Sequence, residues 1–127
     1  MDDVRDFARS YTEAWSSGDP ARVAEHYASD GSLTINAGSP SAGRDAITEA
    51  AQAFMTAFPD MQVLMDGLRD GERGLEYHWT LVGTNAETGK RVRISGFEEW
   101  TLEDGLIRES LGHFDEAEYD RQLRHGA

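Results

Sequence analysis

The main change in the period of the hydrophobic pattern falls at Pro59, and no other feature constrains the fold as much. Before it apolar residues recur mostly at helical spacing; from Met61 to Phe114 they alternate. Val4, Phe7, Ala8, Tyr11, Thr12 and Trp15 fall on one stripe of an amphipathic helix, which Asp2 or Asp3 can cap and Ser16-Ser17-Gly18 ends. Asp19-Pro20 restarts a short helix, with Asp19 as its cap, carrying Val23, Ala24 and Tyr27 to a turn at Asp30-Gly31. Ser32 to Asn36 reads as a short strand with Leu33 and Ile35 inward. After a loop to Gly43, a helix from about Arg44 to Phe58 carries Ile47, Ala50, Ala51, Phe54, Met55 and Phe58 on its stripe.

Past the switch, apolar alternation marks strands around Met61–Met65, Leu75–Thr84, Arg91–Leu102 and Leu106–Phe114. Asp70-Gly71, Thr88-Gly89 and Asp104-Gly105 supply the turns between them. Asp115 with Glu118 three residues on resembles a capping box and opens a last helix through Tyr119 and Leu123. Helices gathered ahead of hairpin-linked strands imply an α+β fold, a curved and mainly antiparallel sheet wrapped over the N-terminal helices. A chain of 127 residues is expected to form one domain, residues 1–127.

Charge narrows the partners. Against 24 acidic residues stand 12 basic ones, a net charge of −12 that repels nucleic-acid backbones and anionic lipid. With no cysteine, disulfides, thiolate nucleophiles and thiolate metal sites are excluded. No apolar run approaches the roughly 18 residues that span a bilayer. The opening Met-Asp-Asp-Val-Arg-Asp-Phe lacks a basic signal-peptide start, so a cytoplasmic location is expected.

An ordered set of short pieces carries a resemblance over nearly the whole chain. They are Tyr11-Thr-Glu-Ala-Trp15 with Gly18-Asp-Pro20, His26-Tyr-Ala-Ser-Asp30, Gly43-Arg-Asp-Ala-Ile47, Phe58-Pro-Asp60, Gly83-Thr84, and Asp104-Gly-Leu-Ile-Arg-Glu109 with Asp115. In these the chain resembles the SnoaL-like polyketide cyclases, also called ester cyclases, of the cone-shaped α+β superfamily. That superfamily includes ketosteroid isomerase, scytalone dehydratase and limonene-epoxide hydrolase. The resemblance implies a cystatin-like cone enclosing a mostly apolar pocket, and an intramolecular aldol closure needing no metal or cofactor. It also implies an aspartate near the end of the last strand as acid/base, by position Asp115.

Side-chain parity selects the groups that could converge on such a pocket. In the last strand Ile107, Glu109, Leu111, His113 and Asp115 share a face; in the strand before it Val92, Ile94, Gly96, Glu98 and Trp100 do. With those apolar faces inward, Glu98 and His113 sit where desolvation raises a carboxyl pKa and lowers an imidazole pKa, as acid/base work near neutral pH requires. Asp115 has two readings, an N-cap and a catalytic group, and one oxygen could serve each. His78 stands where the resembled family often carries an arginine. Tyr11, Trp15, Asn36, Phe54, Met55, Phe58, Trp79, Trp100 and Leu111 complete the candidate pocket wall, while His26 and His125 read as exposed helix residues. Histidine spacing for a metal site is absent.

The expected activity is therefore a cofactor-independent cyclase acting on a small hydrophobic carbonyl compound. The alternatives are an isomerase, dehydratase or epoxide hydrolase in the same cone, or a ligand-binding homodimer without catalysis. An epoxide hydrolase would need Arg91 or Arg93 inward. A homodimer would use Tyr77, Trp79, Leu81 and Phe97 on the outer sheet face.

Overall fold

Residues 2–127 are described here from a computed structural model. Four helices and six strands follow in the order α1 (Asp2–Ser16), α2 (Pro20–Ala24), β1 (Tyr27–Ile35), β2 (Ser41–Ala42), α3 (Arg44–Ala57), β3 (Gln62–Gly71), β4 (Gly74–Thr84), β5 (Arg91–Glu103), β6 (Leu106–Phe114) and α4 (Glu116–His125). Of the two candidate caps of α1, the Asp2 side chain lies outside the described residues and Asp3 stands within the helix. The strands form one sheet in the order β2-β1-β6-β5-β4-β3, in which only β1 and β6 run parallel. This is the expected α+β architecture, N-terminal helices wrapped by a curved sheet. No helix of the described residues is long and apolar enough to cross a membrane.

Several elements differ from the sequence expectation: Ser41–Ala42 of the expected loop form β2, and β3 runs on to Gly71. Tyr27 opens β1 instead of ending α2, and Asp30-Gly31 lies inside that strand rather than in a turn. Against β6 the register slips between Tyr27 and Ser32, so β1 bulges there. Gly31 permits the bulge, since a Cβ on it would stand 2.8 Å from the Ile107 carbonyl oxygen. The β3–β4 turn falls on Glu72-Arg73, just past Asp70-Gly71. At the β5–β6 hairpin the expectation holds: Asp104 and Gly105 have φ of 53° and 79°, the left-handed pair that a two-residue connection requires.

The core lies between the helices and the inner sheet face. Ala8, Tyr11, Ala14 and Trp15 of α1 and Ile47, Ala51 and Met55 of α3 pack there, against Tyr77, Leu81, Val92, Ile94 and Trp100 of β4 and β5. Helix α4 closes the open flank of β5, where β6 no longer pairs. Its Gln122 accepts from Arg93 N at 2.7 Å and donates to Arg93 O at 2.9 Å, replacing a missing strand partner.

Candidate active site

A cavity of about 60 Å³ lies between the helices and the sheet. Its walls come from Trp15 of α1, Phe54 of α3, Leu33 and Ile35 of β1 and Val63 of β3. Tyr77, Trp79 and Leu81 of β4, Ile94 of β5, Gly112 and Phe114 of β6 and Tyr119 of α4 complete them. Glu98 of β5 supplies the single charged side chain among these described lining residues.

Glu98 reaches this position because β4 and β5 pair in continuous register from Leu75–Trp100 to Thr84–Arg91. Without a bulge the parity read from sequence survives: Val92, Ile94, Glu98 and Trp100 are all buried on the inner face. Three donors converge on one carboxylate oxygen. Glu98 Oε1 accepts from Ser110 Oγ at 2.7 Å, Tyr11 Oη at 2.9 Å and Trp100 Nε1 at 2.9 Å. Since Tyr11 spends its proton on Glu98, the 2.8 Å contact between the Tyr11 and Tyr27 hydroxyls has Tyr27 as donor. No hydrogen bond among the described residues reaches Oε2, and Oε2 is not among the fully enclosed unpartnered atoms. It is the oxygen left to meet the cavity.

The electrostatics follow from burial. Desolvation pushes the Glu98 carboxyl above its ordinary value, and the donors Trp100, Ser110 and Tyr11 oppose that rise. Desolvation first, and the Glu98 charge second, push the Tyr11 and Tyr27 phenols well above theirs, so both remain protonated donors. Behind the carboxylate, Trp100 stacks on Tyr77 with ring centroids 4.8 Å apart and 11° between planes, which fixes its N–H. Two indole N–H groups contrast with it. Trp15 Nε1 and Trp79 Nε1 are buried and have no partner among the described residues.

The last strand does not follow the expected parity. Glu109 pairs with Thr101 and Ile107 with Leu102, leaving Arg108 as an extra residue. This bulge reverses the faces beyond it. Ser110, Gly112 and Phe114 therefore turn inward, and Leu111 and His113 turn to the outer face with Glu99. His113 Nε2 contacts Glu99 Oε1 at 2.7 Å, and His78 Nε2 contacts Glu76 Oε1 at 3.0 Å. The two imidazoles flank Phe97, with centroids 4.8 Å and 5.2 Å from its ring. Both histidines thus lie across the sheet from the cavity.

Asp115 is exposed and caps α4, its Oδ1 accepting from Glu118 N at 3.1 Å. Asn36 likewise stays out of the cavity wall. It accepts from Phe114 N at 2.9 Å and donates to Glu116 Oε1 at 3.1 Å, tying β1 to the start of α4. Met55 and Phe58 are core residues outside the lining, whereas Trp15, Phe54 and Trp79 line it. Tyr77, Trp79 and Leu81 face the cavity, so of the four residues expected on an outer dimer patch only Phe97 is there. Arg91 and Arg93 are exposed and do not border the cavity.

Sequence reasoning missed Tyr27 and Ser110. Tyr27 was hidden by the bulge that starts β1. For Ser110 a signal exists: Arg108-Glu109 places two charged residues in succession where alternation requires an apolar one. No group of three or more His, Asp or Glu side chains among the described residues is arranged to hold a metal ion.

The described fold is thus an α+β cone whose apolar, aromatic hollow holds one buried carboxylate. The family model described as SnoaL-like domain matches residues 8–110, and the chain belongs to that family. No curated protein matches the sequence. Among solved structures, TsrD from Streptomyces laurentii is similar at 18% identity and TM-score 0.83, covering 97% of this chain and 96% of its own. An NTF2-like protein of unknown function from Burkholderia pseudomallei K96243 is similar at 21% identity and TM-score 0.82, covering 97% and 98%. A hypothetical protein of ketosteroid isomerase-like fold from Catenulispora acidiphila DSM 44928, in complex with trimethylamine, is similar at 13% identity and TM-score 0.76, covering 84% and 82%. At these identities the likeness is one of fold.

Proposed function

We propose that this protein is a cofactor-independent acid/base enzyme of the cyclase type, acting on a small apolar carbonyl compound, with Glu98 as the proton-transfer group. The observation that carries this reading is the asymmetry of Glu98, whose Oε1 is held by three donors while Oε2 is left for an apolar cavity. Oε2 takes a proton from a carbon next to the carbonyl, and the C–H electron pair moves onto the carbonyl oxygen as an enolate. The enolate carbon then attacks a second carbonyl of the same molecule, forming the C–C bond and an alkoxide. The Glu98 carboxylic acid returns its proton to that alkoxide. Isomerisation and dehydration share the first step and stay within the proposal.

The test needs no knowledge of the natural substrate. Deuterium uptake at the α-carbons of cyclopentanone in D2O, followed by NMR, should be faster with protein and lost in Glu98→Gln. Equal uptake by the two proteins would remove Glu98 from the chemistry. As part of the same proposal, a homodimer would meet through the outer face around Phe97, and sedimentation that shows only monomer at micromolar concentration would sink it.

The cavity walls support a second reading, binding without catalysis. Aromatic faces of Trp15, Phe54, Tyr77 and Trp79 near a carboxylate also suit a small alkylammonium ion. Calorimetry with trimethylammonium chloride separates the two: binding lost in Glu98→Gln, with no deuterium uptake by the wild type, would favour this reading.

A further inference from the structure

We infer that Tyr27 is a positioning residue for Glu98: acting through the Tyr11 hydroxyl, it holds the carboxylate oxygen Oε1 in place and favours its ionised form. Its consequence for catalysis rests on the proton abstraction proposed above; its hold on the carboxyl does not.

Tyr27 and Tyr11 are both 0% exposed, and a phenol in such a place is costlier than a phenylalanine unless its hydroxyl is bonded. Among the described residues the Tyr27 hydroxyl makes one hydrogen bond, the 2.8 Å contact with Tyr11. It donates there, because Tyr11 gives its own proton to Glu98 Oε1 at 2.9 Å. A hydroxyl that accepts a hydrogen bond donates a stronger one, by roughly 10–30%. Ser110 Oγ, 2.7 Å from the same Oε1, also lies near the Tyr27 oxygen, so four oxygens close a ring that includes the carboxylate. The Trp15 N–H points at the Tyr11 oxygen but stops short of hydrogen-bond geometry, which leaves Tyr27 as the donor to it. A third buried phenol shows that burial alone does not give this arrangement. Tyr77 gives its proton to Thr12 Oγ1, whose own proton goes to Ala8 O, away from Glu98.

Tyr27 is held at both ends. Its backbone pairs with Ile107 of β6 just before the bulge, its carbonyl oxygen accepts from Arg44 Nε of α3 at 2.9 Å, and its ring meets that of Tyr11 at 6.1 Å. The titratable groups that face the carboxyl from the packed elements are phenols: Tyr11 of α1, Tyr27 of β1 and Tyr77 of β4, with Tyr119 of α4 on the cavity wall. Behind the Tyr11 ring stands His26, with ring centroids 5.6 Å apart. Burial pushes the Tyr11, Tyr27 and Tyr77 phenols above their ordinary value. They remain neutral, so Tyr27 acts on Glu98 through hydrogen bonds and not through a charge of its own.

The side-chain 13C carboxyl resonance of Glu98 reads the effect directly in the free protein. Tyr11→Phe, which removes one donor from a charged oxygen, should raise its titration midpoint by about 1–2 in pH. Tyr27→Phe should raise it by roughly 0.2–0.5, and 3-fluorotyrosine at position 27, a stronger donor of nearly the same size, should lower it. Both changes should vanish in a Tyr11→Phe background, and the acid limb of α-proton exchange should move with the midpoint. Loosened packing does not produce opposite displacements from two replacements of such similar shape, and the fluorinated protein carries the test if Tyr27→Phe does not fold. An unmoved midpoint, changes of the same sign, or changes that persist without the Tyr11 hydroxyl would overturn the role of Tyr27. Glu98-dependent deuterium uptake with a midpoint indifferent to Tyr27 would overturn this inference alone. A midpoint that obeys Tyr27 without Glu98-dependent uptake would overturn the proton abstraction and leave the positioning role standing.

Discussion

A Cβ added to Gly112 would meet Thr34 O at 3.5 Å and Glu98 Cγ and Ile35 Cγ1 at 3.8 Å, all ordinary contacts. Gly112 borders the cavity and has no left-handed φ, so Gly112→Ala places a methyl group in the hollow without strain. Restricting the unfolded chain stabilises by about 0.4–1 kcal/mol, and burying one methyl adds up to about 0.8 kcal/mol. A net gain of about 1 kcal/mol should raise Tm by roughly 4 °C in a chain of this length. The same methyl narrows the space in front of Glu98, so cyclopentanone binding and deuterium uptake should fall. Gly96→Ala is the control. Its Cβ would stand 2.3 Å from His113 O and 2.7 Å from Trp79 Cζ2, and overpacking of that kind costs about 1–3 kcal/mol. Thermal unfolding and ligand titration of both variants decide the matter. A lower Tm for Gly112→Ala, or ligand binding and uptake unaltered by it, would refute the reasoning.

Glu98→Gln should fold and lose ~100- to 10,000-fold in α-proton exchange, the usual contribution of one positioned base. Because the folded Glu98 carboxyl holds its proton above the ordinary 4.5, its stabilising contribution is full below about that pH and is lost as the pH rises through the folded value. Urea midpoints from pH 4 to 8 should therefore show wild type losing ground to Glu98→Gln; a constant gap would contradict this. Asp115→Asn, which keeps a capping oxygen, should leave exchange unchanged, whereas Asp115→Ala should cost about 1 kcal/mol of stability through α4. A loss of exchange in Asp115→Asn would restore Asp115 as a catalytic candidate. Gln122→Ala opens the Arg93 N–H and C=O, and chemical denaturation should register about 2 kcal/mol.

The general architecture was legible because it depends on local signals. The change of hydrophobic period located helices and strands, and Asp19 and Asp115 mark helix starts by side-chain geometry that needs only neighbouring residues. Glu98 was legible for a related reason: β5 meets β4 in unbroken register, so alternation carries over to burial. What failed depends on pairing between distant segments. The extra residue at Arg108 is defined only against β5, and it moved Leu111 and His113 to the outer face while bringing Ser110 and Gly112 in. Tyr27 joined the polar cluster because β1 bulges against β6. Tyr77, Trp79 and Leu81 alternate equally well for either face, and it is their pairing with Glu98, Gly96 and Ile94 of β5, with Tyr11 of α1 packed on Tyr77, that turns them inward.

Protonation of Glu98 is the most direct test of a functional carboxyl kept from water by an aromatic hollow. Its side-chain 13C carboxyl resonance, assigned by its absence in Glu98→Gln, can be followed through an acid-to-neutral titration of the free protein. A midpoint above the ordinary 4.5 is expected from its burial. A midpoint at or below that value would mean that the three donors and solvent outweigh the burial, leaving no tuned base in the cavity.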